Sequence, residues 1–165
     1  MTPDAELAAV RALRLVGKHD DHLVAASDLV VRFPDHAGAQ IEAAYAHDRA
    51  GAERIAIRHY EAAYQLGVPA YERRRFVVGY GSTLRNVGRA DDAVAVLAQA
   101  VAEDPDYPAL AAFLALALHA AGHPRAALAA MIGCALDAAR PDAFDGYERA
   151  LSEYERALLK PITKP

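Results

Sequence analysis

The sequence predicts an all-α fold, a right-handed α-α superhelix (solenoid) of about four helical hairpins followed by a C-terminal capping helix. Alanine, the best helix former, makes up about a quarter of the chain, far above its ordinary usage. Glycines recur at near-constant spacing between apolar stretches of helical length. No stretch alternates apolar and polar residues as a half-buried strand would. We therefore expect a chain built from helices alone.

The composition limits the function classes that fit the chain. Its 165 residues suit one domain or one short repeat array, and the net charge of −4 does not favour a nucleic-acid partner. Cys134 is the only cysteine, which excludes an internal disulfide and favours the reducing cytoplasm. The first residues lack a cationic secretory leader, and the apolar run 108–121 is too short for a membrane span. We expect a cytoplasmic protein with no cofactor and with neither a membrane nor a nucleic acid as partner.

The first hairpin is expected at about 3–34. Pro3 suits the first position of a helix, and Gly17 suits its C-terminal end. The second helix can begin at Asp20 or Asp21. It must end before Pro34, because the residue before a proline disfavours the α conformation.

The second and third hairpins are expected at about 35–68 and 69–105. Gly51 and Gly88 mark the turn inside each hairpin, and Pro105 closes the third. The helices predicted here are 35–50, 52–66, 69–87 and 90–103.

A fourth hairpin at about 106–140 and a capping helix at about 141–160 complete the single domain of residues 1–165. Gly122 ends the first helix of this hairpin, and Pro124 opens the second. The capping helix should carry an apolar stripe, whose members are Phe144, Tyr147, Leu151, Tyr154 and Leu158. The stripe should cover the fourth hairpin, and any part left exposed could join two chains into a homodimer. The last five residues are expected to fray.

The turn glycines define a repeat. Gly17, Gly51, Gly88 and Gly122 are separated by 34, 37 and 34 residues. A helix–turn–helix unit with a period of about 34 residues is the tetratricopeptide signature. That signature also places small residues where the two helices of a hairpin cross and a large apolar residue between hairpins. The last three units follow it, whereas the first keeps only its turn and its proline, as a capping unit does. The matching positions are Ala44, Gly81 and Ala115; Ala56, Ala93 and Ala127; Tyr60, Leu97 and Met131; and Ala63, Ala100 and Cys134.

On these residues the chain resembles the tetratricopeptide repeat proteins. The run LRNVGRADDAVAVLAQAVAEDP, followed by ALAAFLALALHAAGHPRAAL, is similar to the bacterial domain called tetratrico peptide repeat group 5. The resemblance extends from about Gly38 to Lys160. It implies a helical solenoid that acts as a binding scaffold, without naming what is bound.

In such a solenoid the first helix of each hairpin lines a concave groove. The helical period places residues six, three and two before each turn glycine on that inner face. Arginine suits a carboxylate or a phosphate, and Tyr45 and Phe113 could anchor a peptide side chain. The alternative is an ordinary solvated helix face. The candidate peptide-binding residues are Arg11, Arg14, Tyr45, Arg49, Arg75, Ser82, Arg85, Asn86, Phe113, Leu116 and His119.

Some tetratricopeptide proteins hold a C-terminal carboxylate with lysine and asparagine on this face. This chain departs from that pattern. Leu7 and Arg11 stand where the first unit would offer lysine and asparagine, and Gly79 stands where the third would offer arginine. We therefore do not expect that clamp.

Other chemistry has less support in the sequence. The charged run 71–75 could bind phosphate, but such runs are more often solvated or paired along a helix. His119 and His123 are four residues apart, but Gly122 and Pro124 break the helix that would place both side chains on one metal ion. We interpret His19 and His22, with the two aspartates between them, as polar residues of a turn.

Catalysis also has little support. Ser82 and His119 could face each other across the groove, but no acid is placed to orient the histidine. Cys134 occupies a helix-crossing position and should be an inert, buried thiol. We expect a non-catalytic module that binds a partner peptide on its concave face. The alternative is a structural protein that self-associates through its terminal apolar helix faces.

Overall fold

The computed structural model describes residues 2–161. These residues form nine α-helices and contain no strand. The helices are α1 (Pro3–Leu15), α2 (His19–Arg32), α3 (Ala37–Arg49), α4 (Glu53–Leu66), α5 (Arg73–Asn86), α6 (Ala90–Glu103), α7 (Pro108–Ala120), α8 (Pro124–Ala138) and α9 (Glu148–Leu159).

The chain divides into two compact units, residues 1–83 and 84–165. In the first unit α1 packs on α2 and α3, α2 packs on α3, and α3 packs on α4. In the second unit α6 packs on α7, α7 on α8, and α8 on α9. In each of these pairs except α1 and α3, a helix contacts its neighbour in sequence, as short connections require. Within residues 2–161, none of the helices combines the length and the apolarity that crossing a bilayer requires.

The last helix starts later than the sequence predicted. α9 begins at Glu148, whereas the expected capping helix began at residue 141. Asp142, Asp145 and Gly146 have φ angles of 62°, 50° and 85°, which lie in the left-handed region and interrupt a right-handed helix. Residues 141–147 therefore form turns.

This change shortens the apolar stripe expected on the capping helix. Phe144 and Tyr147 lie in the turns before α9, and only Leu151, Tyr154 and Leu158 lie on the helix itself. Leu151 and Leu158 are half-buried, whereas Tyr154 is exposed. The fraying expected for the end of the chain concerns mainly residues 162–165, which lie outside the described residues.

The start of α5 also differs from the expectation. The predicted helix began at Pro69, but α5 begins at Arg73. The amides of Glu72 and Arg73 donate to the carbonyls of Pro69 and Ala70, which makes residues 69–72 a turn. This turn places Glu72 just before α5, where it is buried.

Two clusters form the core of the first unit. An aliphatic cluster joins α1, α2 and α3, and its members are Leu7, Val10, Ala26, Leu29, Ala39 and Ala46. An aromatic cluster joins α3, α4 and α5 through Tyr45, Tyr60, Phe76 and Tyr80, whose ring centroids lie 5.3–6.1 Å apart in the pairs that touch. Gly79 belongs to this second cluster, because the Tyr60 hydroxyl lies where a Cβ atom would be. Close packing thus explains this glycine inside a helix.

The core of the second unit consists mainly of small residues. The buried apolar side chains there are Leu84, Leu97, Leu110, Ala93, Ala100, Ala115, Ala117, Ala127 and Ala129. Most of them occupy the small and large positions that the repeat pattern assigned. Met131 and Cys134, at the corresponding positions of the last repeat, are not fully buried.

Candidate functional site

The first unit is organised around the buried carboxylate of Glu42 on α3, whose side chain is fully shielded from solvent. Its Oε1 accepts hydrogen bonds from Arg11 Nε at 3.2 Å and Arg14 Nη2 at 3.1 Å. Its Oε2 accepts from Arg14 Nε at 2.9 Å and lies 3.0 Å from His22 Nε2. A carboxylate offers about four acceptor positions, so Glu42 is saturated.

These contacts keep Glu42 ionised. Burial by itself would raise the pKa of this carboxyl, but hydrogen bonds from His22 and Arg14 and the charge of Arg14 hold the pKa below its ordinary value. Because an ionised carboxylate only accepts hydrogen bonds, the Nε2 atom of His22 must carry a proton. Glu42 therefore ties α1 and α2 to α3 and has no acceptor left for a ligand.

A second buried carboxylate, Glu72, shares the same two arginines. Its Oε1 lies 3.6 Å from Arg11 Nη2 and 3.7 Å from Arg14 Nη2. The Tyr45 hydroxyl donates to its Oε2 at 3.2 Å. Arg11 and Arg14 are thus each shared between two carboxylates, and their charges are largely balanced within the protein.

Tyr45 supports two arginines with its ring. The guanidinium carbons of Arg14 and Arg75 each lie 5.1 Å from the ring centroid, within the range of a cation–π interaction. Burial, and then the nearby charge of Glu72, raises the pKa of the Tyr45 phenol. Tyr45 is therefore a neutral hydrogen-bond donor with an arginine-binding ring.

These groups lie beside an open cavity of about 440 Å³. Its lining residues are Arg14, His19, His22, Tyr45, Asp48, Arg49, Tyr60, Arg75, Val78 and Gly79, all in the first unit. Arg49 and Arg75 are exposed, and neither makes an ion pair with any residue in the part of the chain that the structure describes. The cavity therefore presents two cations without a carboxylate partner.

Asp48 is the one acidic residue in the lining of this cavity. Its Oδ1 lies 3.0 Å from the Thr83 hydroxyl, and its Oδ2 accepts from the Tyr60 hydroxyl at 3.3 Å. Burial raises the pKa of Asp48, although both hydrogen bonds act in the opposite direction. The Thr83 Oγ1 atom also lies 2.9 Å from the Gly79 carbonyl oxygen, and its single proton can satisfy only one of the two acceptors.

Comparison with known families identifies the fold. Residues 37–158, well over half of the chain, match the family model described as Tetratrico peptide repeat. The chain belongs to the tetratrico peptide repeat family. The family resemblance and the all-α superhelix predicted from the sequence are confirmed. Tetratrico peptide repeats generally act as protein–protein interaction modules and are typically non-catalytic scaffolds.

Solved structures of other proteins have the same fold. The crystal structure of MamA has a TM-score of 0.69 at 15% identity, covering 99% of this chain and 80% of MamA. YrrB, described as a TPR protein with an unusual peptide-binding site, has a TM-score of 0.70 at 14% identity, covering 93% and 80%. TTC0263, a thermophilic TPR protein of Thermus thermophilus, has a TM-score of 0.59 at 24% identity, covering 97% and 83%. These identities show the fold alone. Among curated proteins, none matches the sequence at a significant level.

The tetratrico peptide repeat brings several of the predicted site residues together in the first unit. Arg14, Tyr45, Arg49 and Arg75 line the cavity. Arg11 lies behind it in the contacts with the two buried glutamates. A sixth predicted residue, Ser82, lies half-buried on α5 and is not among the lining residues.

The other five predicted residues lie in the second unit. Arg85 donates from Nη2 to the Asn86 side-chain oxygen at 3.0 Å. On α7, Phe113 is half-buried, and Leu116 and His119 are exposed. These five remain predictions as binding residues.

Sequence reasoning missed the roles of three members of the first-unit network: Glu72, Thr83 and His22. The interpretation of His22 as a polar turn residue is wrong, because His22 lies on α2 and is buried. One signal pointed to His22. His22 stands five residues after Gly17, where the tetratrico peptide repeat has alanine, and a buried histidine at a helix crossing needs a polar partner. Glu72 gave no such signal, because it directly precedes a run of three exposed arginines.

The remaining candidate chemistry is not assembled into a site. No group of three histidine, cysteine, aspartate or glutamate side chains could hold a metal ion within residues 2–161. Cys134 is half-buried, and its Sγ lies 3.3 Å from the Pro108 carbonyl oxygen.

Proposed function

We propose that this tetratrico peptide repeat protein is a non-catalytic interaction module that binds a peptide segment of a partner protein on the face formed by the first helices of its hairpins. The observation that supports this function is the cavity of the first unit. Its wall joins α1, α3 and α5 through Arg14, Tyr45, Arg49 and Arg75. Arginine and tyrosine are enriched among the few interface residues that contribute most of the binding free energy in protein–protein complexes.

The lining of the cavity gives little support for catalysis by a hydroxyl or thiol nucleophile. The described residues that line it include no serine, threonine or cysteine that could act as a nucleophile. His22 in the lining is paired with Glu42 behind it, and Arg11 and Arg14 occupy the remaining acceptor positions of that carboxylate. This supports binding rather than catalysis.

The function can be tested with a displayed library of random peptides passed over the immobilised protein. We expect wild type to enrich related sequences and the Arg49→Ala/Arg75→Ala variant to lose them, with an unchanged circular dichroism spectrum. Arg54→Ala is the matched control, because Arg54 is exposed on α4 and does not line the cavity. Failure of wild type to enrich any sequence would contradict the proposal.

Self-association through the terminal helix faces is the second candidate. Val24 and Val31 on α2 are 68% and 78% exposed, and Tyr154 and Leu159 on α9 are 66% and 62% exposed. Exposed apolar residues on helix faces at both ends could pair two chains. Light scattering at high micromolar concentration tests this, and a monomer there contradicts it. A dimer that becomes a monomer in Tyr154→Ser/Leu159→Ser would support it.

The sequence also leads us to propose a bacterial, cytoplasmic protein that does not take nucleic acid or a membrane as partner. A protein tag and cell fractionation test the location. Retention of double-stranded DNA or anionic vesicles by the purified chain would contradict the partner assignment.

A further inference from the structure

We propose that the cavity of the first unit is a subsite for one acidic group of the bound segment, a carboxylate held by Arg49 and Arg75. This inference rests on the proposed function, because it specifies the chemistry of the partner segment at one place on the binding face. It differs from the lysine–asparagine clamp of other tetratricopeptide proteins, whose residues this chain lacks.

The charges around the cavity assign the binding role to these two arginines. Four arginines and three carboxyl groups lie in or directly behind its wall: Arg11, Arg14, Arg49, Arg75, Glu42, Asp48 and Glu72. Glu42 and Glu72 hold Arg11 and Arg14 at 2.9–3.7 Å. The arginines of the cavity that lack a carboxylate partner are therefore Arg49 and Arg75. Together, the four arginines and three carboxyl groups carry one positive charge in excess when Asp48 is ionised.

Arg75 is positioned before any ligand arrives. Its guanidinium lies over the Tyr45 ring, and the Tyr45 hydroxyl is fixed by its hydrogen bond to Glu72. A guanidinium held over a ring by a cation–π contact still has N–H donors available for a carboxylate. Holding a long side chain in its bound position reduces the entropy lost on binding.

Asp48 limits the charge that the subsite accepts. It lies in the same wall as Arg49 and Arg75 and faces donors from two other helices, Tyr60 on α4 and Thr83 on α5. An ionised Asp48 repels an anion and reduces the excess charge of the four arginines and three carboxyl groups to one positive charge. That excess matches a monoanionic carboxylate. A phosphoryl group carries a charge of about −1.5 to −2 at neutral pH and would exceed that balance.

An array of nine-residue peptides tests the subsite. The peptides are acetylated and amidated, with random flanks around a fixed central Glu, Gln, Lys or phosphoserine. A second Gln set carries a free C-terminal carboxylate, which separates a terminal from a side-chain carboxylate. Wild type should bind the Glu set, or the free-carboxylate set, at least about tenfold more tightly than the amidated Gln set, as expected for a charge-assisted hydrogen bond.

Three variants check that the preference comes from these residues. Arg49→Gln/Arg75→Gln should lose the preference, and Arg54→Gln should keep it. Asp48→Asn should bind the acidic set several-fold more tightly than wild type and should also gain affinity for phosphoserine. Loss of folding would weaken binding of the acidic peptides in both kinds of variant, so opposite effects on affinity cannot come from it. Circular dichroism checks that each variant is folded.

The outcomes separate this inference from the proposed function. Equal binding of the Glu set, the free-carboxylate set and the amidated Gln set by wild type would overturn the acidic subsite while leaving peptide binding intact. Tightest binding of phosphoserine by wild type would overturn the monoanion assignment. Binding of no set by wild type would contradict both proposals.

Discussion

His22 and Glu42 form a buried pair, with Nε2 and Oε2 separated by 3.0 Å and side-chain exposures of 2% and 0%. The pair joins α2 to α3 at a position where the other repeats of this chain place alanine. With Arg11 and Arg14 from α1, it gives the first unit an ionic core. Substitutions in this core and in the close contacts around it should therefore have measurable effects on stability.

Replacing Glu42 with glutamine should strongly destabilise the protein. The substitution leaves Arg11, Arg14 and His22 facing a neutral amide, and removing one partner of a buried ion pair typically costs about 3–5 kcal/mol. Urea unfolding measures the change. Glu153→Gln on α9 is the control, because Glu153 pairs with Arg149 on the surface and should change stability by less than about 0.5 kcal/mol. A Glu42→Gln variant as stable as the control would mean that the buried network contributes nothing.

Gly79→Ala should be destabilising, and Tyr60→Phe should relieve part of the cost. A Cβ atom at residue 79 would overlap the Tyr60 hydroxyl, and overpacking of a core typically costs about 1–3 kcal/mol. Removing the hydroxyl frees that space, although the ring carbon that carried it remains 3.1 Å from the added atom. A double-mutant cycle of unfolding free energies should show this coupling. Additive effects of the two substitutions would refute the contact.

Ala93→Leu should also be destabilising, because Ala93 is fully buried on α6. The expected loss of unfolding free energy is about 1–3 kcal/mol. Ala98→Leu is a matched control on the same helix, where residue 98 is exposed and the added side chain meets solvent. Equal stability of the two variants would show that the hairpin register is wrong.

The stability should fall as the pH drops below the ordinary histidine range. Burial lowers the pKa of His47 and of His59, whose rings stack with centroids 5.4 Å apart, and the charges of His47 and Arg58 lower the pKa of His59 further. The unfolded chain therefore binds protons more readily than the folded chain. The stabilisation is complete above the reference pKa of 6.5 and is lost as the pH falls from there toward the folded pKa values.

Thermal melts between about pH 8 and pH 5 measure this dependence. The variant His47→Phe/His59→Phe keeps two stacked rings but cannot be protonated, so its melting temperature should fall less over the range. Gln40 helps to define the native pair, because its amide donates to the Pro34 carbonyl and its oxygen therefore faces His59 Nδ1 at 2.8 Å. Identical pH profiles for wild type and variant would show that these histidines do not contribute.

The repeat could be read from the sequence because it depends on local rules. Gly17, Gly51, Gly88 and Gly122 have positive φ values of 72–86°, a conformation that favours glycine at a helix end. The alanines at the helix crossings are buried because only a small side chain fits there. The start of α9 was missed because Asp142 and Asp145 adopt left-handed conformations, which the preceding proline does not reveal.

The candidate site was only partly predictable. The helical period placed Arg11, Arg14, Tyr45 and Arg49 on one face, but it did not say which charges the protein balances within itself. The period gave no role to Glu72, which closes the network from the turn before α5.

The sequence by itself determined the family, the helical hairpins and the face on which to look for a partner, because turn glycines and small residues act through short-range geometry. Only the tertiary structure decided which arginines remain available. Glu42 and Glu72 lie 30 residues apart in the chain, and folding brings both against Arg11 and Arg14. Electrostatic balance depends on distance in space, which the order of residues does not contain. It leaves Arg49 and Arg75 as the arginines of the cavity without a carboxylate partner.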